Sequence, residues 1–379
     1  QPLADLAYLR KATIDVIGRI PTFPEIEQYQ KWPKAKRREL LLDRLFNDKG
    51  LADRWTIFYA DLLRIRSRAE GGNRLLAYVH QSIEQNRPWD EMARELIAAS
   101  GSSGNTPSVG FLLADDSDPM TMAGATAQVF LGVRMACAQC HNHPFDKWRQ
   151  KQFYELASFF GKTKQVESRL SSKTYVTEGE EMKVLWPPER RKPKERFPVD
   201  PKFPFPVEDF SVKPDYLKRL EALRAGEALA LNKHKESEAL DALIDSSGGK
   251  KGLGIGVEPV ALSVGKQSRE DIRKLDVKGD LYRKSELRRQ LADHVAGPQN
   301  RYFARNMVNR VWAELMGRGF YHPIDDYQGE VTHPKTVDYL CDEFVANGYD
   351  LAHLIRVVME TDAYAKSTLN ADVELEDRD

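Results

Sequence analysis

The chain has 379 residues, of which 41% are hydrophobic and 30% charged, and its 57 Lys+Arg balance 57 Asp+Glu to a formal net charge of zero. At roughly 150 residues per domain this allows two or three domains with a substantial buried core. The balance excludes nucleic acid as the main partner, because phosphate binding draws on an excess of Lys and Arg, and no run approaches the roughly 20 apolar residues of a membrane span.

The first 161 residues read as a helical block. No secretory signal is visible at the start, where Gln1-Pro2-Leu3-Ala4-Asp5 leads into a helix-like pattern, so an exported form is a mature or trimmed chain. Amphipathic spacing predicts helices over Pro24 to Trp32, Lys34 to Asn47 and Leu51 to Arg66, the second with an apolar stripe of Leu40, Leu41, Leu45 and Phe46. Pro88-Trp89-Asp90 opens a helix to about Ser100, and the Gly- and Ser-rich 101–107 is a loop by composition. Asp118-Pro119 looks like an N-cap followed by Pro at the first helical position. That helix should run through Val129 and Phe130 to about Arg134 and deliver the chain to a cysteine motif.

Residues 162–284 read as an irregular, partly extended insert with some helix. Val184 to Pro188 and Phe203 to Pro206 are extended or irregular, and Glu189 to Arg196 is a solvated charge run. Leu217 to Ile244 has helical character, and Ser246 to Gly252 is a flexible break. Gly252, Gly254 and Gly256 lack the following helix that a nucleotide loop needs. Residues 285–379 form a second helical block: Phe303, Met307, Val311 and Leu315 share a face, Thr332-His333-Pro334 opens a helix and Asp350 caps the last one. The expected fold is mainly α, two helical blocks packed together with the insert between and over them.

Three cysteines are present, Cys137, Cys140 and Cys341, too few for a disulfide scaffold. Val337, Leu340, Cys341 and Phe344 follow helical spacing, so Cys341 reads as a core residue. Cys137-Ala138-Gln139-Cys140-His141 has the C-x-x-C-H pattern of c-type haem attachment. Two thiols three residues apart suit the two vinyl groups on one porphyrin edge, and the next histidine is carried under the ring to bind iron. Two other readings stand beside it. A zinc site on Cys137, Cys140 and His141 or His143 needs a distant fourth ligand, since no second C-x-x-C exists. A thioredoxin-like pair lacks the flanking strand and helix. His143 cannot reach the opposite face of the same haem; it hydrogen-bonds a propionate or a backbone carbonyl, or lines a reaction pocket. Met120, Met122, Met135, His80 and His322 are distal-ligand candidates by residue type only. No Ser/His/Asp triad can be argued. Asp325-Asp326 read as helix caps or partners of Arg310 or Arg318, because adjacent carboxylates on an extended chain point apart. Arg310 could neutralise a haem propionate or hold the two blocks together. Arg54, Trp55, Asp61 and Arg64 read as packing or inter-helix contacts, and Asn309 faces away from the Phe303 stripe.

Phe130 to Arg134, the Cys137–His141 motif, then His143-Pro144-Phe145-Asp146 and Trp148 resemble the planctomycete cytochrome-related domains of PSCyt type. Leu9-Arg10-Lys11, Gly18 to Thr22 and Arg54-Trp55 resemble that domain's opening. Asn300 to Arg305, Val308 to Trp312, Gly317 to Gly319, Asp325-Asp326, His333-Pro334 and Gly348 to Leu351 resemble the PSD-type domain that follows it. Asn142 stands where the family often has Asp. The resemblance implies export to the periplasm or beyond, covalent haem c, and a PSD-type domain that continues past this chain. It supplies no settled reaction; a haem site reads as a redox role, as electron relay or haem-based oxidoreductase, with a redox partner protein or a small oxidant or reductant. A glycan-related substrate fits the company such proteins keep. The alternative is a zinc-stabilised, non-catalytic binding module for an extracellular polymer.

Overall fold

In the computed structural model, residues 3–168, 173–189, 194–228, 282–327 and 331–366 are described. The first block is helical where the apolar spacing demands it. Helix α1 (Asp5–Ile17) buries Tyr8, Leu9, Ala12 and Val16 and stops at Gly18, whose φ of 72° is a left-handed cap. A capping box of Thr22 and Glu25 starts α2 (Phe23–Lys31). Helix α3 (Arg37–Phe46) turns Leu41, Leu42 and Leu45 inward, and α4 (Gly50–Leu62) buries Trp55 and Tyr59. Next come α5 (Gly72–Glu84), α6 (Trp89–Ala98), the short α7 (Gly110–Leu113), α8 (Pro119–Leu131) and α9 (Gln150–Ala157). Helix α8 is apolar nearly all round and is covered on nearly all faces, which makes it the centre of the block.

The second block is built from α11 (Glu286–Val295), α12 (Arg301–Met316), α13 (Pro334–Ala346) and α14 (Leu351–Met359). Helix α11 packs on α6 and α12 packs on α8, so the two blocks share one core. An aromatic line crosses the boundary. Trp89 meets Tyr59 at 5.0 Å and Phe130 at 5.6 Å, stacks on Phe303 at 6.0 Å and 2°, and Phe303 meets Tyr349 at 5.6 Å. Arg288 is fully buried at the α6–α11 contact, donating to the Ala99 carbonyl and, at 2.9 Å, to Ser100 Oγ. Burial pushes its guanidinium down to about 10.

The described part of the insert is tied to both blocks. Strands β2 (Thr163–Glu167) and β3 (Thr174–Glu178) form an antiparallel pair, and β1 (Gly101–Ser102) joins the other side of β3 in register Gly101↔Val176. The stretch 101–107, a loop by composition, thus starts as a sheet edge, because its partner lies about seventy residues away and strand pairing leaves little mark on one short segment. Strands β4 (Leu185–Trp186) and β5 (Phe197–Pro198) form a second pair. Helix α10 over 215–228 is clamped by Arg224 to the buried Asp90 at 2.5 Å and by Arg219 to Glu343 at 2.7 Å. The rest of the expected Leu217–Ile244 helix, the Ser246–Gly252 break and Gly252, Gly254 and Gly256 lie outside the described residues, as does part of the charge run. No helix among the described residues is long and apolar enough to cross a membrane.

Candidate functional site

The motif begins where α8 is forced to end. Asp118 accepts from Thr121 N at 2.8 Å as the N-cap, and after a helix of 13 residues Gly132 turns left-handed at φ 65°. A Cβ on Gly132 would stand 2.6 Å from the Tyr327 ring and 2.8 Å from Asn306 Oδ1, so the helix stops at Leu131 and not at Arg134. The chain then forms a 3-10 turn over Met135–Gln139. Met135 and Ala138 bury themselves against the core, which leaves Cys137 and Cys140 on the outside. Neither thiol is in a disulfide.

The loop after the motif is fixed by its own polar groups. Asn142 Oδ1 accepts from Gln150 N at 3.0 Å, and Gln150 Nε2 donates to the Gln139 carbonyl at 3.0 Å. An Asp at 142 could supply the same oxygen. His143 N donates to the Trp148 carbonyl at 2.8 Å, and Trp148 is buried against Phe205 at 4.7 Å between ring centres. His141 is exposed and its Nδ1 lies 2.6 Å from the Asn142 carbonyl oxygen. A carbonyl only accepts, so Nδ1 carries the proton and Nε2 keeps an open lone pair. His143 is the reverse: its Nδ1 accepts from Phe145 N at 3.3 Å, which leaves the proton of the neutral ring on Nε2. Phe145 stands 84% exposed beside them.

A loop of the second block reaches this site. Asp325 accepts from Arg134 and from Gln128, each at 2.6 Å. Burial raises the Asp325 carboxyl, but the bonds from Arg134 and Gln128 outweigh it and hold it below the usual carboxylate range. Asp326 goes the other way. Burial, with smaller contributions from Asp146 and Asp325, raises it against the lowering field of Arg134 and His143, and its Oδ1 is buried with no hydrogen-bond partner. The sequence suggests helix caps or partners of Arg310 or Arg318 for Asp325-Asp326; Asp325 instead takes Arg134, from the other block. Asn309, off the Phe303 stripe, is fully buried. Its amide donates to the Ile324 carbonyl at 3.2 Å and accepts from Tyr321 N at 3.0 Å, pinning the loop that carries Asp325.

A family model for PSCyt2, described as a protein of unknown function (DUF1549), matches residues 1–165. A second, for PSD1, also a protein of unknown function (DUF1553), matches residues 287–379. The two matches stand in that order, PSCyt2 then PSD1, with 166–286 between them outside both. No curated protein and no solved structure matches it.

The PSD1 domain therefore frames the PSCyt2 motif. Besides Asp325, it sends Asn306 Nδ2 to the Val129 carbonyl at 2.6 Å and Arg310 Nη2 to the Gln128 carbonyl at 3.4 Å. Arg310 holds the two domains together, as one of its two sequence readings had it, and lines a cleft that includes no residue of 132–148. Of the distal-ligand candidates, Met122 and Met135 are core residues and His80 bonds Asp53 at 3.0 Å. Cys341 is fully buried. Among the described residues no three His, Cys, Asp or Glu side chains are grouped to hold a metal ion. Gln128 was not singled out in the sequence, and Arg134 only as a helix end and part of the family motif. The one signal available was the position of Arg134 three residues before Cys137.

Proposed function

We propose that the PSCyt2 domain attaches haem c through Cys137 and Cys140 with His141 as iron ligand, and that the chain is an exported protein with a redox role, relaying electrons between a partner protein and a small oxidant or reductant. The observation that carries this is the donor set: two surface thiols outside any disulfide, beside an imidazole whose Nδ1–H is spent on the Asn142 carbonyl. Metal-binding histidines are commonly oriented by such a bond to a carbonyl, which fixes the tautomer and leaves Nε2 for the metal. Haem held there supplies one-electron chemistry at iron. The chain's own residues orient the ligand, and the inverted tautomer of His143 gives it a different task. Its outward Nε2–H is a donor to whatever lies over the motif, such as a propionate or a bound oxidant. The surface position of both cysteines favours exchange with a partner over chemistry in an enclosed pocket. A glycan-derived substrate is the reading left for a catalytic version of the same site. Zinc in place of haem would use the same thiols, and no specific contact favours it.

The test is expression in a host with haem c maturation machinery. A denaturing gel stained for haem and a pyridine haemochrome spectrum should both be positive. A colourless, zinc-containing product sinks the reading. A six-coordinate low-spin spectrum supports relay, whereas a high-spin spectrum shifted by peroxide or cyanide supports catalysis.

A further inference from the structure

Away from the cysteine motif, α4 of the PSCyt2 domain and α12 of the PSD1 domain enclose a cleft of about 230 Å³. Pockets for drug-sized molecules run from roughly 300 to 1,000 Å³, so this one suits something smaller. Its floor is apolar, from Phe58, Leu62 and Ile324. Arg54 of α4 and Glu314 of α12 are joined by an ion pair on its lining, which ties one wall to the other.

Two further charges on the lining have no such match. Arg310 has no carboxylate within ion-pair distance among the described residues; its Nε donates to Asn306 Oδ1 at 3.0 Å and Nη2 to the Gln128 carbonyl at 3.4 Å, which holds the guanidinium rigid and leaves Nη1 uncommitted. Burial pushes the Arg310 guanidinium down, with only partial compensation from Tyr327 and Asp325. A cation in that state gains from an anion more than a hydrated one does. Asp61, exposed at the rim, likewise makes no ion pair or side-chain hydrogen bond among the described residues. The lining thus offers one open cation, one open anion and an apolar floor.

We propose that this cleft binds a small zwitterion of the free amino-acid class, its carboxylate on Arg310, its ammonium on Asp61 and its apolar side chain on Phe58, Leu62 and Ile324. A doubly charged phosphate is disfavoured, because Asp61 and Glu314 line the same space. A purely apolar molecule would leave both open charges unanswered. The inference is independent of haem attachment.

Calorimetric titration of the full chain with leucine and with phenylalanine tests it. The single-charge controls are isocaproate, which lacks the ammonium, and isoamylamine, which lacks the carboxylate. Saturable binding of at least one amino acid is expected, with each control about tenfold weaker or more. Asp61→Asn, at an exposed position, should reduce leucine to the level of isocaproate without weakening isocaproate. Arg310→Lys, which keeps the charge but loses the fork, should weaken leucine and isocaproate together. No saturation by either amino acid up to about 10 mM, isocaproate binding as tightly as leucine, or Asp61→Asn leaving leucine binding unchanged would each overturn the proposal.

Discussion

Gly132 meets two demands that no other residue satisfies together. Its φ of 65° lies where L side chains rarely sit, and the Tyr327 ring and Asn306 Oδ1 occupy the place of a Cβ. Gly132→Ala should therefore cost about 1–3 kcal/mol of stability, measured as a shifted urea midpoint. An unshifted midpoint would mean the turn relaxes freely. The two histidines nearby separate in the same concrete way. His141→Ala should leave thioether attachment possible but impair maturation and change the spin state, while His143→Ala should keep attachment and alter potential or reactivity. The reverse pattern in the optical spectra would exchange their roles. Both histidines and both cysteines stand out in the sequence through the C-x-x-C-H spacing and the residues that follow it. The opposite tautomers were not legible. They depend on which backbone group each ring meets, the Asn142 carbonyl or the Phe145 amide.

At the scale of elements, the 319–327 loop carries adjacent carboxylates of opposite character. Asp325 has its folded pKa lowered below its unfolded value. Its contribution is present above the unfolded pKa and is lost as pH falls through the folded one. Asp326 has its folded pKa raised, so as a carboxylate at neutral pH it costs stability, and that cost disappears as pH falls and it protonates. Asp325→Asn should accordingly destabilise at pH 7 by about 1 kcal/mol, a modest figure because Arg134 is half exposed, and should flatten the acid limb of the stability curve. Asp326→Asn should be neutral or stabilising at pH 7. Chemical unfolding across the acid range checks both, and equal losses from the two variants would contradict the assignment. The helices read from apolar periodicity over 24–32, 34–47, 51–66 and 88–100 match α2, α3, α4 and α6 to within a few residues at their ends, whereas α5 and α9 were not read from the sequence. Their misjudged ends have local causes, such as the Gly132 stop before Arg134. The pairing of Asp325 with Arg134 was hidden, because 191 residues separate them and neither neighbourhood records the other. Asn309 lies off the apolar stripe, as its spacing indicates, but the loop it pins there could not be read from the helix alone.

Over the whole molecule, the two family domains behave as one packed body in which neither owns its core. Trp89 and Phe130 of PSCyt2 and Phe303 of PSD1 are fully buried partly by one another, and Tyr349 closes the line from the far side. A buried aromatic ring removes roughly 150–250 Å² from water, worth about 4–6 kcal/mol at 25 cal/mol per Å². Removing PSD1 would re-expose part of Trp89 and Phe130, and with them the faces of α6 and α8 that α11 and α12 cover. It would also leave the Val129 and Gln128 carbonyls without Asn306 and Arg310. A loss of even one ring's worth rivals the whole net stability of a domain, about 5–15 kcal/mol. Residues 1–165 produced alone should thus be loosely packed, binding a hydrophobic dye and lacking sharp near-ultraviolet dichroism, whereas the full chain should unfold with coincident transitions by fluorescence and circular dichroism. A 1–165 fragment that melts cooperatively with native near-ultraviolet dichroism would show that PSD1 is an attachment to the PSCyt2 fold and not part of its core. The same fragment bears on the motif. Because Gly132, Arg134 and Gln128 take their partners from PSD1, a loosely packed fragment should also mature haem poorly even though Cys137, Cys140 and His141 are all present.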